Sequence, residues 1–302
     1  MVPSWHVGAI LREDPEDTLR FAAWYLEAGA DRLTLFFDDP QDPAIGVLRD
    51  HPRIGCIPCT PEFWKGLGLD PDTRFTKRQN AALTHAYRQS DADWFLNVDA
   101  DEFVHIEGRN LATFLSEVPS EAVSVRIETA EAVGAVGDHP TRVFRLPMER
   151  DAARRVYGED AGLFGPRRKG LVGHAAGKSV IRGGHSDLTL RQHWPVRGKD
   201  IPPEHVAGRE SGAYLLHMIG LDYAPWRAKV DWRVASRGFI ASLTEQVAAA
   251  LDLDDPEPFL RDLHGRLHRM DAEALERLAA EQALLELDLD FDACAERHFS
   301  RR

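Results

Sequence analysis

The apolar run Trp94-Phe95-Leu96-Asn97-Val98 stops abruptly at Asp99-Ala100-Asp101-Glu102. Three carboxylates in four residues beside a buried segment need partners, because an ionised group left unpaired in a core is costly. They must face solvent, a base or a metal. Side chains alternate along a strand, and a turn beginning at Ala100 swings Asp99 and Asp101 toward one point with only a methyl group between them. Oxygen ligands of this kind suit Mg2+ or Mn2+, which keep positions open for substrate phosphates. Asp-rich turns also close strands without any ligand, so the motif alone leaves both readings standing.

The segments around this motif alternate strand and helix, the pattern of a mostly parallel sheet with crossover helices. Val7–Leu11 is an apolar run, and Asp14-Pro15 then supplies an N-cap and a first-turn proline. A helix follows to about Ala28, with Leu19, Ala22, Ala23 and Leu26 on one face and Gly29 placed to end it. The next strand, Arg32–Phe37, ends in a second carboxylate pair, Asp38-Asp39-Pro40. Ile54–Pro58 is a shorter strand, and Thr73–Gln89 a helix whose Ala82, Leu83, Ala86 and Tyr87 can face the sheet. Ligands of open α/β sheets bind beyond the carboxyl ends of the strands, so two acidic strand ends belong on one functional edge. Leu111–Val118 reads as helix and Val123–Ile127 as strand, whereas residues 129–175 lack clear periodicity and read as a long binding segment. Lys178–Arg182, Leu188–His193 and Ala213–Ile219 read as strands. Trp226–Leu251, Pro256–Met270 and Asp271–Leu287 carry helical spacing.

The 302 residues can bury a sizeable core. The expected fold class is α/β, with a domain over residues 1–235 and a C-terminal helical extension over 236–302 packed on it. The net charge of −12 argues against a nucleic-acid partner. No uninterrupted apolar stretch approaches the roughly 20 residues of a membrane helix. The first residues lack a basic segment followed by an apolar one, so the expected location is the cytoplasm, including the inner face of its membrane. Three cysteines do not suggest a disulfide framework, and Cys56-Ile-Pro-Cys59 reads as core packing.

Together these pieces resemble the family-2-like bacterial nucleotide-sugar glycosyltransferases of GT-A (Rossmann-like) fold. The resemblance lies in an order of motifs over roughly residues 5–235. It runs Leu11-Arg12-Glu13-Asp14, then Phe21–Leu26 with Gly29-Ala30-Asp31, then Leu35-Phe36-Phe37-Asp38-Asp39. Lys77-Arg78-Gln79-Asn80 and the DXD-type Asp99-Ala100-Asp101-Glu102 follow, and then Lys178-Ser179-Val180-Ile181-Arg182, His193-Trp194-Pro195 and His217. The order is more specific than any one motif. Asp38-Asp39-Pro40-Gln41-Asp42 replaces the group's usual Asp-Asn-x-Ser tail.

The resemblance implies metal-dependent transfer of a sugar from a nucleotide-diphosphate donor, with a UDP-sugar favoured. The acceptor would be a glycan, lipid or protein, and the setting surface-polysaccharide synthesis. Mn2+ or Mg2+ would neutralise charge growing on the diphosphate leaving group. Asp101 and Asp99 are the implied metal ligands, and Glu102 could orient them. His217 is the implied third ligand and His193 its alternative, although a single histidine among 13 is more often an ordinary hydrogen-bonding residue. Arg12, Glu13, Asp38, Asp39, Gln79, Asn80 and Asp99 are the implied donor contacts. Lys178 and Arg182 lie four apart in a strand and so face one side, as a phosphate or acceptor clamp requires. Arg167-Arg168-Lys169-Gly170 is a basic loop suited to an anion, or simply a solvated charge run.

An inverting, hexosyltransferase-type reaction needs a carboxylate base. Glu128, Glu149, Asp151 and Asp187 are the candidates; position favours Asp187, and a retaining mechanism stays open. Two rivals stand beside this reading. A sugar-phosphate nucleotidyltransferase usually carries a glycine-rich basic loop after its first strand, which Gly8–Pro15 does not supply. A non-catalytic sugar-nucleotide or partner-binding module would keep partner binding when Asp99 and Asp101 are neutralised. Neither the oligomeric state nor the role of the last helices can be read from the sequence.

Overall fold

The computed structural model describes residues 2–137, 141–236 and 238–299. Along the chain run β1 (Trp5–Leu11), α1 (Pro15–Glu27), β2 (Arg32–Phe37), α2 (Ala44–Leu48), β3 (Ile54–Pro58), α3 (Pro61–Gly66), α4 (Phe75–Gln89) and β4 (Trp94–Asn97). Then come β5 (Glu102–Ile106), α5 (Leu111–Ser116), β6 (Ser124–Ile127), β7 (Thr129–Ala135), β8 (Arg142–Arg145), α6 (Arg150–Tyr157) and β9 (Lys178–Arg182). Next are β10 (Leu188–Leu190), β11 (Pro195–Arg197), β12 (Glu204–Ala207), β13 (Ala213–His217), α7 (Tyr223–Ala228), α8 (Val230–Ser236) and α9 (Ala241–Leu251). The chain closes with α10 (Glu257–His268), β14 (Arg269–Met270), α11 (Ala272–Ala280), β15 (Leu284–Leu287) and α12 (Phe291–Phe299).

The elements form two compact units. The first comprises residues 1–128, 177–215 and 290–302, and the second 129–176 and 216–289. The expected extension therefore divides, with 236–289 in the second unit and 290–302 in the first. Residues 237 and 300–302 of that expectation lie outside the described residues.

The first unit holds a seven-stranded sheet in the order β12-β6-β9-β4-β1-β2-β3. β1 pairs in parallel with β2 and β4, β2 with β3, and β12 with β6, while β9 is antiparallel to both β4 and β6. This is the mostly parallel α/β sheet flanked by helices that the alternation predicts. Its strands read as apolar runs because they are covered on both faces: all of β1 and β4 is buried. Ala82, Leu83, Ala86 and Tyr87 of α4 are buried in one cluster with Ile10, Phe36, Phe95 and Ile181. Cys59 is buried and Cys56 half-buried, both as free thiols, and burial pushes the Cys59 thiol up to about 12. The last helix, α12, sets Phe291 against Trp24 of α1 and Phe103 of β5, with ring centroids 5.1 and 4.7 Å apart.

His6 of β1 lies inside this unit, 3% exposed, with Nδ1 2.9 Å from Ser90 Oγ and Nε2 2.9 Å from Thr34 Oγ1. Burial, helped by the charge of Arg32, lowers its pKa to about 4. The unfolded chain then binds a proton that the folded chain refuses, so stability is lost as pH falls from the ordinary imidazole value toward 4. At ~1.4 kcal/mol per unit this loss comes to about 3 kcal/mol. Urea midpoints measured from pH 7 to 4 should show it, and His6→Gln should flatten that part of the curve.

The second unit holds β7, β8 and β15 in the order β15-β8-β7, both pairings antiparallel, with β14 parallel on β7. Among the described residues of 129–175, β7, β8 and α6 are regular elements where a long binding segment was expected, the expectation at 138–140 lying outside the described residues, and Leu284–Leu287 is a strand where helical spacing suggested a helix. The helix α11 ends at Ala280, and Gln282, whose φ of 56° lies in the left-handed region, turns the chain into the strand. The expected single helix Trp226–Leu251 is three shorter helices. Phe164, Trp226, Phe239, Leu243, Leu260 and Leu263 share the core of this unit. Among the described residues no helix is long and apolar enough to cross a membrane.

Candidate active site

β1, β2, β4 and β6 run in one direction, so their carboxyl ends lie along a single edge of the first unit's sheet. The residues that follow those ends are Arg12, Asp38, Val98-Asp99 and Glu128. The antiparallel β9 begins at the same edge, with Lys178 opposite Ile127. One edge therefore gathers the charged residues scattered over the first 178 positions, as open α/β sheets do for their ligands.

Asp99 is the centre of the first cluster. Its Oδ1 accepts from Gln79 Nε2 at 2.6 Å and its Oδ2 from Lys178 Nζ at 2.9 Å. Lys178 Nζ also lies 3.3 Å from Glu102 Oε2, which in turn accepts from the Asp99 amide at 2.8 Å. The Lys178 and Glu102 side chains have no exposure, whereas a third of Asp99 reaches solvent. Burial and the neighbouring Glu102 charge push the Asp99 carboxyl up against the pull of Lys178. Burial alone would lower the Lys178 ammonium, but Asp99 and Glu102 hold it above its ordinary value. Asp101, half-buried, occupies the turn between β4 and β5.

Asp38 anchors a second cluster. Its side chain, 5% exposed, is held by Arg78 and lies 3.6 Å from the guanidinium of Arg12. Arg78 stands over Trp64 at 5.0 Å and Phe75 at 5.7 Å from the ring centroids, a cation–π arrangement that fixes its direction. Arg12 is 79% exposed, so it presents a cation to solvent at the end of β1. Glu13 follows it in the turn to α1. Asp39 spends Oδ1 on the Gln41 amide at 2.9 Å. Asn80, next to Gln79 on α4, buries its Oδ1 without a hydrogen-bond partner among the described residues.

The other expected site residues separate. Arg182 lies at the far end of β9, over Trp94 at 4.2 Å, donating to the Ala122 and Pro119 carbonyls at 3.1 and 3.2 Å. Four residues of strand, about 13 Å, part it from Lys178, so the two share a face but sit at opposite edges of the sheet. They do not form a clamp. Asp187 is paired with Arg197 at the exposed start of the β10–β11 hairpin, and that partner holds its carboxyl below the usual range. Leu188 beside it accepts from Arg88 near the end of α4, so Asp187 too belongs to the Arg182 end. Glu149 and Asp151 occupy the exposed start of α6 in the second unit, Asp151 paired with Arg154. Of the two candidate bases in the first unit, Glu128 is the one at the carboxyl edge, beside the backbone of Gly208, where an added Cβ would meet the Glu128 Oε2 at 2.1 Å.

His193 belongs to the first unit, its Nδ1 donating to the Gly177 carbonyl oxygen at 2.9 Å. His217 belongs to the second unit, stacked on His174 with centroids 5.5 Å apart. The basic loop is also in that unit, where Arg168 donates to the carbonyls of Val172 and Gly238.

Among the described residues no three His, Cys, Asp or Glu side chains are arranged to hold a metal ion. The implied set of Asp99, Asp101 and His217 does not fit one. Asp99 already accepts from Gln79 on Oδ1 and from the Lys178 ammonium on Oδ2.

Sequence reasoning missed two groups. Arg78 stands in the Lys77-Arg78-Gln79-Asn80 stretch but is not among the expected site residues, and nothing local shows that it would meet Asp38. The fully buried pair of Glu131 and Arg145 in the second unit was missed too. Glu131 Oε1 accepts from Arg145 Nε and Nη2 at 2.9 and 2.5 Å and from the Val172 amide at 2.8 Å, and its Oε2 accepts from the Gly173 amide at 2.6 Å.

No protein-family model matches the chain, and no curated protein matches it. Solved structures do. HddC from Yersinia pseudotuberculosis is 10% identical over 76% of this chain and 99% of its own, with a TM-score of 0.36. The mannosyltransferase PcManGT from Pyrobaculum calidifontis, in complex with GDP-Man and Mn2+, is 13% identical over 93% of this chain and 74% of its own, with a TM-score of 0.41. The galactosyltransferase LgtC, in complex with donor and acceptor sugar analogues, is 13% identical over 59% of this chain and 57% of its own, at a TM-score of 0.26.

Proposed function

We propose that this chain is a nucleotide-sugar glycosyltransferase of GT-A type whose donor binds along the carboxyl edge of the first unit's sheet. The observation that carries the proposal is the arrival of Arg12, Asp38, Asp99 and Glu128 at that one edge from four strands of common direction. Asp38, fixed by Arg12 and Arg78, and Asp99, fixed by Gln79 and Lys178, are two oriented acceptors for the hydroxyl and N–H groups of a nucleoside. Arg12, largely exposed, is the cation available to the diphosphate. Glu128 is the base: it takes the proton of an acceptor hydroxyl, whose oxygen attacks the anomeric carbon as the bond to the diphosphate oxygen breaks. The nucleoside diphosphate leaves with that electron pair, and the configuration inverts.

The proposed steps are carried by Glu128, Arg12, Asp38 and Asp99, and none is routed through Mn2+ or Mg2+. The donor class is a nucleotide-diphosphate sugar, with a UDP-sugar the first to try, and the acceptor class a glycan, lipid-linked sugar or protein. Incubation with UDP-, GDP- and dTDP-sugars, with and without simple glycoside acceptors, should release one nucleoside diphosphate, and Asp38→Asn should abolish the release. A chain that turns over none of them, yet still binds a nucleotide sugar, would be a binding module instead.

A further inference from the structure

Lys178 occupies the place where the strand-end carboxylates would grip a cation. Its Nζ is 2.9 Å from Asp99 Oδ2 and 3.3 Å from Glu102 Oε2, and its side chain has no exposure. The remaining oxygen of Asp99 is taken by Gln79, itself 3% exposed, at 2.6 Å. This ammonium is built into the fold rather than lent by a mobile surface chain. β9 pairs Lys178 with Ile127, and the turn that delivers it passes through Gly177 at φ 68°, where a Cβ would lie 2.1 Å from the Ile127 carbonyl oxygen. Only glycine fits that turn, so the position of the lysine is fixed from the backbone outward.

A dipositive ion at Asp99 Oδ2 would stand beside an ammonium already in contact with that oxygen, and like charges at that range repel strongly in a partly desolvated site. Two carboxylates around one buried ammonium are also the arrangement in which a charged lysine is stable, because each partner offsets part of its desolvation. We infer that Lys178 is the resident cation of Asp99 and Glu102, and that Asp99 is a positioned hydrogen-bond acceptor and not a metal ligand. The inference concerns the protein without nucleotide and stands whatever the edge binds.

The test is Mn2+ binding by the full chain alone, read from the loss of the free-ion electron paramagnetic resonance signal, with folding checked by circular dichroism. Asp99→Asn should leave the Mn2+ affinity of the wild type unchanged. Lys178→Met, which removes the ammonium but keeps much of the volume, should bind Mn2+ at least tenfold more tightly than wild type. Adding Asp99→Asn to Lys178→Met should restore the wild-type affinity. A wild-type Mn2+ affinity that falls with Asp99→Asn would overturn the inference, as would a folded Lys178→Met variant with no gain. If Lys178→Met does not fold, the Asp99→Asn comparison decides alone. No nucleotide enters the assay, so failure here is separate from failure of the glycosyltransferase reading.

Discussion

Arg145→Met is expected to destabilise the second unit by about 3–5 kcal/mol, the cost of removing one member of a buried ion pair. Arg145 is 1% exposed and Glu131 0%, and the guanidinium lies over Phe164 at 5.0 Å. Burial alone would raise the Glu131 carboxyl, but Arg145, His217 and the Val172 and Gly173 amides hold it below its ordinary value. Without the guanidinium the enclosed carboxylate loses its ion-pair partner and keeps the two amides and the more distant His217, or takes up a proton. A loss of this size is a large share of a domain's typical margin of about 5–15 kcal/mol. The double variant Arg145→Met with Glu131→Gln should recover part of it, since the uncompensated charge is then gone. Urea unfolding of the full chain measures both; a loss under about 1 kcal/mol for Arg145→Met would mean that the pair contributes little.

The second large effect falls on turnover. Glu128→Gln should lower the rate of sugar transfer by about 10²–10⁴-fold while leaving nucleoside diphosphate affinity within a factor of about two, as expected for a general base that touches the acceptor and not the donor. Its backbone is tied on both sides, the amide to Ala207 O and the carbonyl to Leu215 N, each at 2.8 Å, so an amide side chain of the same shape should not disturb the edge. Asp187→Asn should leave turnover unchanged, because Asp187 is an exposed partner of Arg197. Equal losses in the two variants would remove the assignment of Glu128.

The parallel core was legible because its strands are covered on both faces. β1, β2 and β4 stand out as apolar runs, and α1 announces itself through Asp14-Pro15 and Gly29. The charged residues were legible as types but not as pairs. Strand alternation put Lys178 and Arg182 on one face, yet alternation says nothing about which edge each reaches, and the five-residue length of β9 separates them. Asp187 was favoured for its nearness to Lys178–Arg182 in sequence, but that nearness is to the wrong end of β9. β7 was invisible for another reason: Thr129-Ala130-Glu131-Ala132-Val133-Gly134-Ala135 is rich in alanine and carries a carboxylate. Its burial depends on Arg145 and on two amides more than 40 positions away, which no local pattern records. Leu284-Leu285-Glu286-Leu287 fits either period over four residues, and its antiparallel pairing with β8 decides for strand.

The central claim is that the carboxyl edge of the first unit binds a nucleoside diphosphate through Asp38 and Asp99. Isothermal titration of UDP, GDP, dTDP and ADP into the wild type, Asp38→Asn and Asp99→Asn, each with and without Mn2+, tests it most directly. One nucleotide is expected to bind the wild type, and each substitution should weaken it at least tenfold, about 1.4 kcal/mol. Binding of none of the four, or binding that neither substitution changes, would contradict it.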